Sequence, residues 1–422
     1  MNHFNYRQDA LYCEDVPVTH IARSVGTPFY LYSQATLERH FGALKDAFVG
    51  DAPLICYSAK ANSNQAVLTL FRQWGSGLDI VAGGELFRGL RSGFTPQTIV
   101  YSGVGKRVEE IDAAIGHDIL MFNIESMEEL ALIDQRAGAL NRKARIAIRI
   151  NPDVDPKTHP YISTGLQKNK FGIDMAAALE GYRAAHRMPH IEVAGIACHI
   201  GSQITTLDPY RQAAAGLIAL FKELQALQIS VKYLDMGGGL GITYHQEAPP
   251  ALADYAACLS EATEGTGLRL IVEPGRVLVG NAGILVTRVL YRKQGRAKSF
   301  VVVDAGMNDL MRPALYQAHH EVQAVERTSR PPIVADVVGP ICESSDFIAQ
   351  DRSMDDVRQG DLLAVMGAGA YSFAMSSNYC SRPRVAEVLV SGDRFDIIRQ
   401  RENLQDLVRG EQLPHWLSTP TA

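Results

Sequence analysis

Eight short apolar or β-branched runs, with helical stretches between them, fall between residues 54 and 273 of this 422-residue chain, and that rhythm restricts the fold more than any other feature. The runs are Leu54–Ser58, Leu78–Val81, Thr98–Ser102, Ile119–Phe122, Ala144–Ile150, Val193–Ile200, Val231–Met236 and Arg269–Glu273. Intervening segments such as Ser63–Trp74, Lys106–Gly116 and Asp208–Leu227 carry apolar residues at three-and-four spacing, the pattern of amphipathic helices. Eight such units fit an α/β fold of the (β/α)8 barrel type, and the count favours it over a doubly wound open sheet.

After about Ala282 the rhythm changes to strand-like runs separated by turn residues: Ser299–Val303, Ile333–Val338, Asp361–Met366, Arg384–Val390 and Arg394–Arg399. The expected organisation is a barrel over 35–280, with 1–34 and 281–422 together forming a β-rich, sandwich- or barrel-like domain. A chain that is 46% hydrophobic and 21% charged can bury cores of this size. Its six cysteines lie far apart with no C-x-x-C pair, which argues against disulfides and against a metal site, so a reducing compartment fits. Met1–Val16 has no apolar leader core and no run approaches the roughly 18 apolar residues of a membrane span. A cytoplasmic protein is expected. The net charge of −5 is small and Lys and Arg are scattered, so neither nucleic acid nor an anionic membrane is indicated as partner. Small-molecule chemistry is the default.

In a barrel of this kind the site forms at the C-terminal ends of the strands. The polar residues there are Lys60 in Tyr-Ser-Ala-Lys-Ala-Asn, His199 in His-Ile-Gly-Ser-Gln, the glycines of Gly237–Gly241, and Glu273-Pro-Gly-Arg276. Each alone has an ordinary explanation: a solvated lysine, a structural histidine, a flexible turn, a rim ion pair. A dinucleotide fingerprint fails, because the sixth position of G-x-G-x-x-G is Ile242. Together they are what pyridoxal phosphate needs: a lysine amine, freed of its proton by a dry pocket; a carboxylate for the pyridine nitrogen; and glycines that let backbone N–H groups approach a phosphate, aided by a helix beginning after the turn.

These motifs, with Tyr-Ser-Ala-Lys-Ala-Asn-Ser-Asn and Cys342-Glu-Ser-Ser-Asp346, resemble the fold-type III pyridoxal-phosphate-dependent decarboxylases over nearly the whole chain. The resemblance implies an alanine-racemase-type barrel followed by a C-terminal β domain. It implies that Lys60 carries the cofactor, His199 stacks on its ring and Glu273 pairs with the pyridine nitrogen. Ser202, Gly237, Gly238, Gly239, Gly275, Arg276 and Tyr371 would hold the cofactor around its phosphate. Racemases of the same fold set an arginine opposite that nitrogen, so Glu273 favours decarboxylation. Ala82 and Cys380 depart from the pattern, standing where serine and asparagine are common.

The segment Val303–Tyr316 is similar to that of family members acting on diaminopimelate, and offers Arg312 and Tyr316 four residues apart. A distal carboxylate calls for arginine, whose planar fork binds it bidentately, and Arg276 could add a second. By resemblance, Glu343 would hold the distal ammonium, Cys342 would protonate the substrate carbon, and Tyr371 would also touch substrate. The family brings this Cys-Glu pair from the neighbouring subunit, so a homodimer with shared active sites is implied. The stretch His159–Gly172 resembles the family's loop over the site. The expected reaction is decarboxylation of meso-2,6-diaminopimelate to L-lysine and carbon dioxide, the last step of lysine biosynthesis. The alternatives are a decarboxylase of carboxynorspermidine, ornithine, arginine or lysine, and a non-catalytic regulatory homologue.

Overall fold

The structure, a computed structural model, describes residues 2–50, 52–156, 158–162, 164–166 and 169–417, the side chain of Pro160 excepted. All eight expected runs become parallel strands: β1 (Leu54–Ser58), β2 (Gly77–Ile80), β3 (Ile99–Tyr101), β4 (Met121–Ile124), β5 (Ala144–Asn151), β6 (Ile191–Ala197), β7 (Tyr233–Asp235) and β8 (Arg269–Val272). β8 pairs back onto β1 and β4 onto β5, so the sheet closes on itself. Closure settles the choice left by the sequence in favour of the barrel.

The barrel is filled rather than hollow. Leu54, Cys56, Val100, Met121, Ala147, Ala194, Ala197 and Ile271 form a buried cluster drawn from six of its eight strands. Many are small, because side chains from facing strands converge there. Helices Gln65–Gln73, Val108–Gly116 and Asp208–Ala226 lay the apolar stripes seen in the sequence onto the outside of the strands. A packed interior has no room for solvated charge, so polar chemistry is displaced to the strand ends.

The remainder is β-rich. The twelve-residue strand Gly283–Gln294 pairs antiparallel with Ser299–Val303, with Leu362–Val365 and with Phe29–Ser33. Phe29–Ser33 lies parallel to Ala386–Ser391 on its other side, which inserts an N-terminal strand among C-terminal ones. A buried polar cluster ties this sheet to the segment after β1. The Tyr32 hydroxyl and the Asn64 amide each donate to Glu387 at 2.8 Å, and Arg399 pairs with the same carboxylate. Lys60 is thereby carried on a short 3-10 turn, Ala59–Ala61, anchored to both parts of the fold. At Ala82, the N-cap of helix Gly83–Arg91, no side chain caps the helix. Glu110 from the next unit accepts from Gly83 N at 2.8 Å instead.

Candidate active site

Lys60 follows β1, and its Nζ donates to Asp79 Oδ2 and to Ser58 Oγ, both at 2.6 Å. Asp79 is fully buried on β2. Burial works against the Lys60 ammonium, but the Asp79 carboxylate, with Tyr371 and Glu273 adding to it, more than offsets this and pushes the pKa above the usual lysine value. The sequence expectation of a lowered pKa in a dry pocket is therefore corrected: the pocket contains a buried counter-ion, and in this state the amine holds its proton.

Glu273, just past β8, is buried beside Asp235 of β7. The Asn123 amide donates to Asp235 Oδ2 at 2.9 Å and reaches Glu273 Oε1 at 3.5 Å. Burial, then the negative neighbours Asp235 and Asp79, push Glu273 well above the usual carboxylate range. Burial also raises Asp235, to about 6. Two carboxyl groups in hydrogen-bonding contact and out of water cannot both ionise, so this pair shares a proton. The sequence supplied a carboxylate here; the fold turns it into an acid.

His199, after β6, accepts at Nδ1 from Gly238 N at 3.1 Å. Burial, and then the cations Arg149 and Lys60, press its pKa well below the usual value, leaving a neutral ring with its proton on Nε2. Ser202 accepts from Arg276 Nη2 at 3.0 Å, and Tyr244 accepts from Arg276 Nη1 at 2.8 Å. The Arg276 guanidinium lies 4.8 Å from the Tyr371 ring centre. Gly238 and Gly239 lie where the backbone passes so close to other chain that a Cβ would stand 2.1 Å from Glu273 O and 2.4 Å from Gly201 O respectively. No helix starts directly after the Gly237–Gly241 turn; the next one is Leu252–Thr263, and the helix after Gly275 has only four residues, Arg276–Val279. The expected contribution of a helix end is accordingly small.

Lys60, His199, Ser202, Gly239, Glu273, Gly275, Arg276, Tyr316 and Tyr371 line one cavity of about 210 Å3. A second, of about 530 Å3, adjoins it through Ile162, Arg276 and Tyr316 and is lined by Arg312 and Tyr244. Arg312 is buried. Among the described residues neither Arg276 nor Arg312 has a carboxylate partner. A larger hollow of about 660 Å3, lined by Glu261, Glu264 and Arg269 among others, contains none of the candidates. Within one chain Cys342 and Glu343 are not brought to the cavities. Both are exposed, and Glu343 accepts from the Tyr379 hydroxyl and from Ser345 Oγ. Of the loop His159–Gly172, residues 163, 167 and 168 lie outside the described residues. Thr164 donates to His199 O at 2.9 Å, and the His159 and Tyr316 rings meet edge to face at 5.9 Å.

Three residues that matter here were not singled out by the sequence reading: Asp79, Asp235 and Tyr244. Asp79 and Asp235 carried a usable signal. An acidic residue between apolar neighbours in a barrel strand must be paired or protonated. Tyr244 sits in a segment without regular structure and left no such trace.

Residues 34–280 match the pyridoxal binding domain of the pyridoxal-dependent decarboxylase family. The chain belongs to the pyridoxal-dependent decarboxylases. It is 50% identical over 410 residues to the diaminopimelate decarboxylase of Vibrio cholerae, covering 96% of this chain and 98% of that one. Its identity to that of Aquifex aeolicus is 49% over 407 residues, 96% of each. The crystal structure of Helicobacter pylori diaminopimelate decarboxylase complexed with L-lysine superposes with a TM-score of 0.90 at 44% identity, covering 93% of this chain and 98% of that one. The M. jannaschii enzyme in co-complex with L-lysine gives 0.94 at 35% identity, covering 99% and 100%.

The residues present fit the cofactor of these decarboxylases. Arg276 Nε, Asp79 Oδ1 and Asn123 Oδ1 are buried polar atoms without a hydrogen-bond partner in the protein, which a bound polar group would satisfy. Lys60, the neutral His199, the Glu273–Asp235 acid pair and the glycine-lined approach to Arg276 supply the donor set described from the sequence. The same burial has a stability cost that can be measured. In cofactor-free protein, folded Glu273 keeps a proton that the unfolded chain releases as pH rises past the ordinary carboxylate value, so stability falls with rising pH. Glu273→Gln cannot ionise. Its melting temperature relative to wild type, measured on cofactor-free protein, is therefore expected to be more favourable at pH 8 than at pH 5; an equal difference at both pH values contradicts the assignment of a buried acid.

Proposed function

We propose that this chain, with pyridoxal phosphate bound, removes carbon dioxide from one amino-acid head of meso-2,6-diaminopimelate and releases L-lysine. The observation that carries this reading is the pair of buried guanidiniums, Arg276 and Arg312, facing the cavity that continues from Lys60. Burying two cations without a counter-ion is unfavourable unless an anion arrives to pair with them. A diamine precursor such as ornithine offers a cation at its far end. Diaminopimelate offers a second carboxylate, which the product lysine keeps. Decarboxylases of diaminopimelate that match this chain over nearly their full length support the same choice.

When bound, pyridoxal phosphate supplies the electron sink for the pair left on carbon as carbon dioxide departs. Lys60 holds the reacting head end of the cavity, and Asp79 takes its ammonium or releases it as substrate enters. The Glu273–Asp235 pair, at the C-terminal mouth of the barrel, would hold a proton toward the ring nitrogen of the cofactor. His199, neutral and fixed through Gly238 N, presents a flat apolar face rather than a charge. Arg312 receives the distal carboxylate, with Tyr316 beside it and Arg276 between the two cavities. Residues 158–162 and 164–166, pinned at Thr164 to His199 O, exclude water above the reacting carbon.

The proton acceptor carbon needs an acid, and Cys342 is the residue proposed for it, with Glu343 for the distal ammonium. Hydrogen bonds from Tyr379 and Ser345 hold the Glu343 carboxyl below its usual range, so it is ionised and able to bind a cation. Both residues stand exposed on the chain's own surface, which suits delivery into the site of a second copy in a homodimer. The free thiols and the lack, among the described residues, of a helix long and apolar enough to cross a membrane suit a cytoplasmic enzyme.

Two measurements test these assignments. Arg312→Ala loses a charge-assisted pair of about 1.5–3 kcal/mol, so kcat/KM for diaminopimelate is expected to fall roughly 10- to 150-fold, and an unchanged value contradicts the clamp. Equal mixtures of Lys60→Ala and Cys342→Ala subunits, each inactive alone, are expected to recover about a quarter of wild-type activity if subunits pair randomly and sites are shared. No recovery on mixing, with dimers shown to exchange, would mean that Cys342 serves the site of its own chain, and full activity of Cys342→Ala alone would place it outside the site.

A further inference from the structure

Arg312 is held in place by a side chain that lines neither cavity. Its Nη1 donates to His320 Nε2 at 2.7 Å, and His320 Nδ1 reaches Met366 O at 2.8 Å. A guanidinium can only donate and a carbonyl can only accept, so Nε2 is the bare nitrogen and Nδ1 carries the proton. Both contacts demand the same neutral tautomer. Burial, and then the charge of Arg312 itself, press the pKa of His320 well below the usual value, in keeping with that state.

The second constraint comes from Tyr244. The Arg312 guanidinium lies 4.4 Å from the centre of its ring, and the His320 ring meets the same tyrosine edge to face at 5.4 Å. One contact grips an edge of the guanidinium and the other covers a face. Among the described residues Nη1 is the one Arg312 nitrogen with a hydrogen bond, which leaves the rest of the fork available to a ligand. Met366 directly follows the strand Leu362–Val365, so the chain of contacts runs from the β-rich sheet through His320 to Arg312.

We infer that His320 is a positioning residue for substrate selection: anchored to Met366 O and accepting from Arg312 Nη1, it fixes the guanidinium plane that reads the carboxylate on the far head of the substrate. The inference rests on the reading of Arg312 given above. An arginine free to rotate would have to be ordered at each binding event, and preorganisation removes that cost.

The test compares two ligands that differ by the carboxylate. L-Lysine keeps the head that the reaction leaves untouched; cadaverine is the same molecule without its carboxylate. His320→Asn keeps a donor for Met366 O and withdraws the acceptor from Arg312, whereas His320→Gln places an amide oxygen near the Nε2 position. His320→Asn is expected to raise KM for diaminopimelate and the inhibition constant of L-lysine about tenfold, with kcat changed by no more than about twofold and cadaverine inhibition unmoved. His320→Gln is expected to recover most of that loss. Equal weakening of both ligands together with a fall in kcat, or an unchanged lysine-to-cadaverine ratio in His320→Asn while Arg312→Ala alters it, overturns the positioning role. An unchanged ratio in Arg312→Ala as well removes the reading of Arg312 beneath it.

Discussion

The ion pair between Lys60 and the fully buried Asp79, across the ends of the first two barrel strands, is the interaction on which the rest of the site depends. A closed barrel packed with small and apolar side chains offers no place for these charges except its C-terminal mouth. There the fold must either neutralise them or protonate them, and it does both. Asp79 stabilises the lysine as a cation; Asp235 and Glu273, pressed together nearby, share a proton. The site therefore begins charged where a substrate head must bind and acidic where a ring nitrogen must be served. Burial favours the acid at Glu273 and Asp235, whereas at Lys60 it works against the ammonium and the Asp79 carboxylate more than offsets it.

At the other end the balance is reversed. Arg276 and Arg312 are buried cations held by neutral partners, Ser202 and Tyr244 for the first and His320 for the second. Neutral acceptors orient a guanidinium without cancelling its charge. The cavities thus keep an unmet preference for an anion, which is the physical basis of the proposed selectivity for a substrate with two amino-acid heads.

Much of this was readable in the chain. The eight apolar runs located every barrel strand because parallel strands buried on both faces leave a strong continuous signal. Lys60, His199, Glu273 and Arg276 were found because barrel topology puts strand ends at the site. What escaped was contact between distant segments. Asp79 inside Leu-Asp-Ile signals a buried acid, but that its partner is Lys60 emerges only when β2 is set beside β1, and the expected Lys60 protonation state then reverses. The expectation grouped 1–34 with 281–422 but not their strand order, because seating Phe29–Ser33 between Gly283–Gln294 and Ala386–Ser391 depends on pairings hundreds of residues apart. Cys342 and Glu343 lie on the surface of the single chain, away from both cavities, so one chain's geometry carries no trace of the role proposed for them.

The central claim is that the geometry selects a substrate with a carboxylate at both ends. It is tested most directly by carbon dioxide release, with identification of the amino-acid product, from protein loaded with pyridoxal phosphate and offered meso-diaminopimelate, ornithine, arginine, lysine and carboxynorspermidine in parallel. The account predicts L-lysine from diaminopimelate and little turnover of ornithine, arginine or lysine; efficient turnover of ornithine, arginine or lysine in preference to diaminopimelate would contradict it.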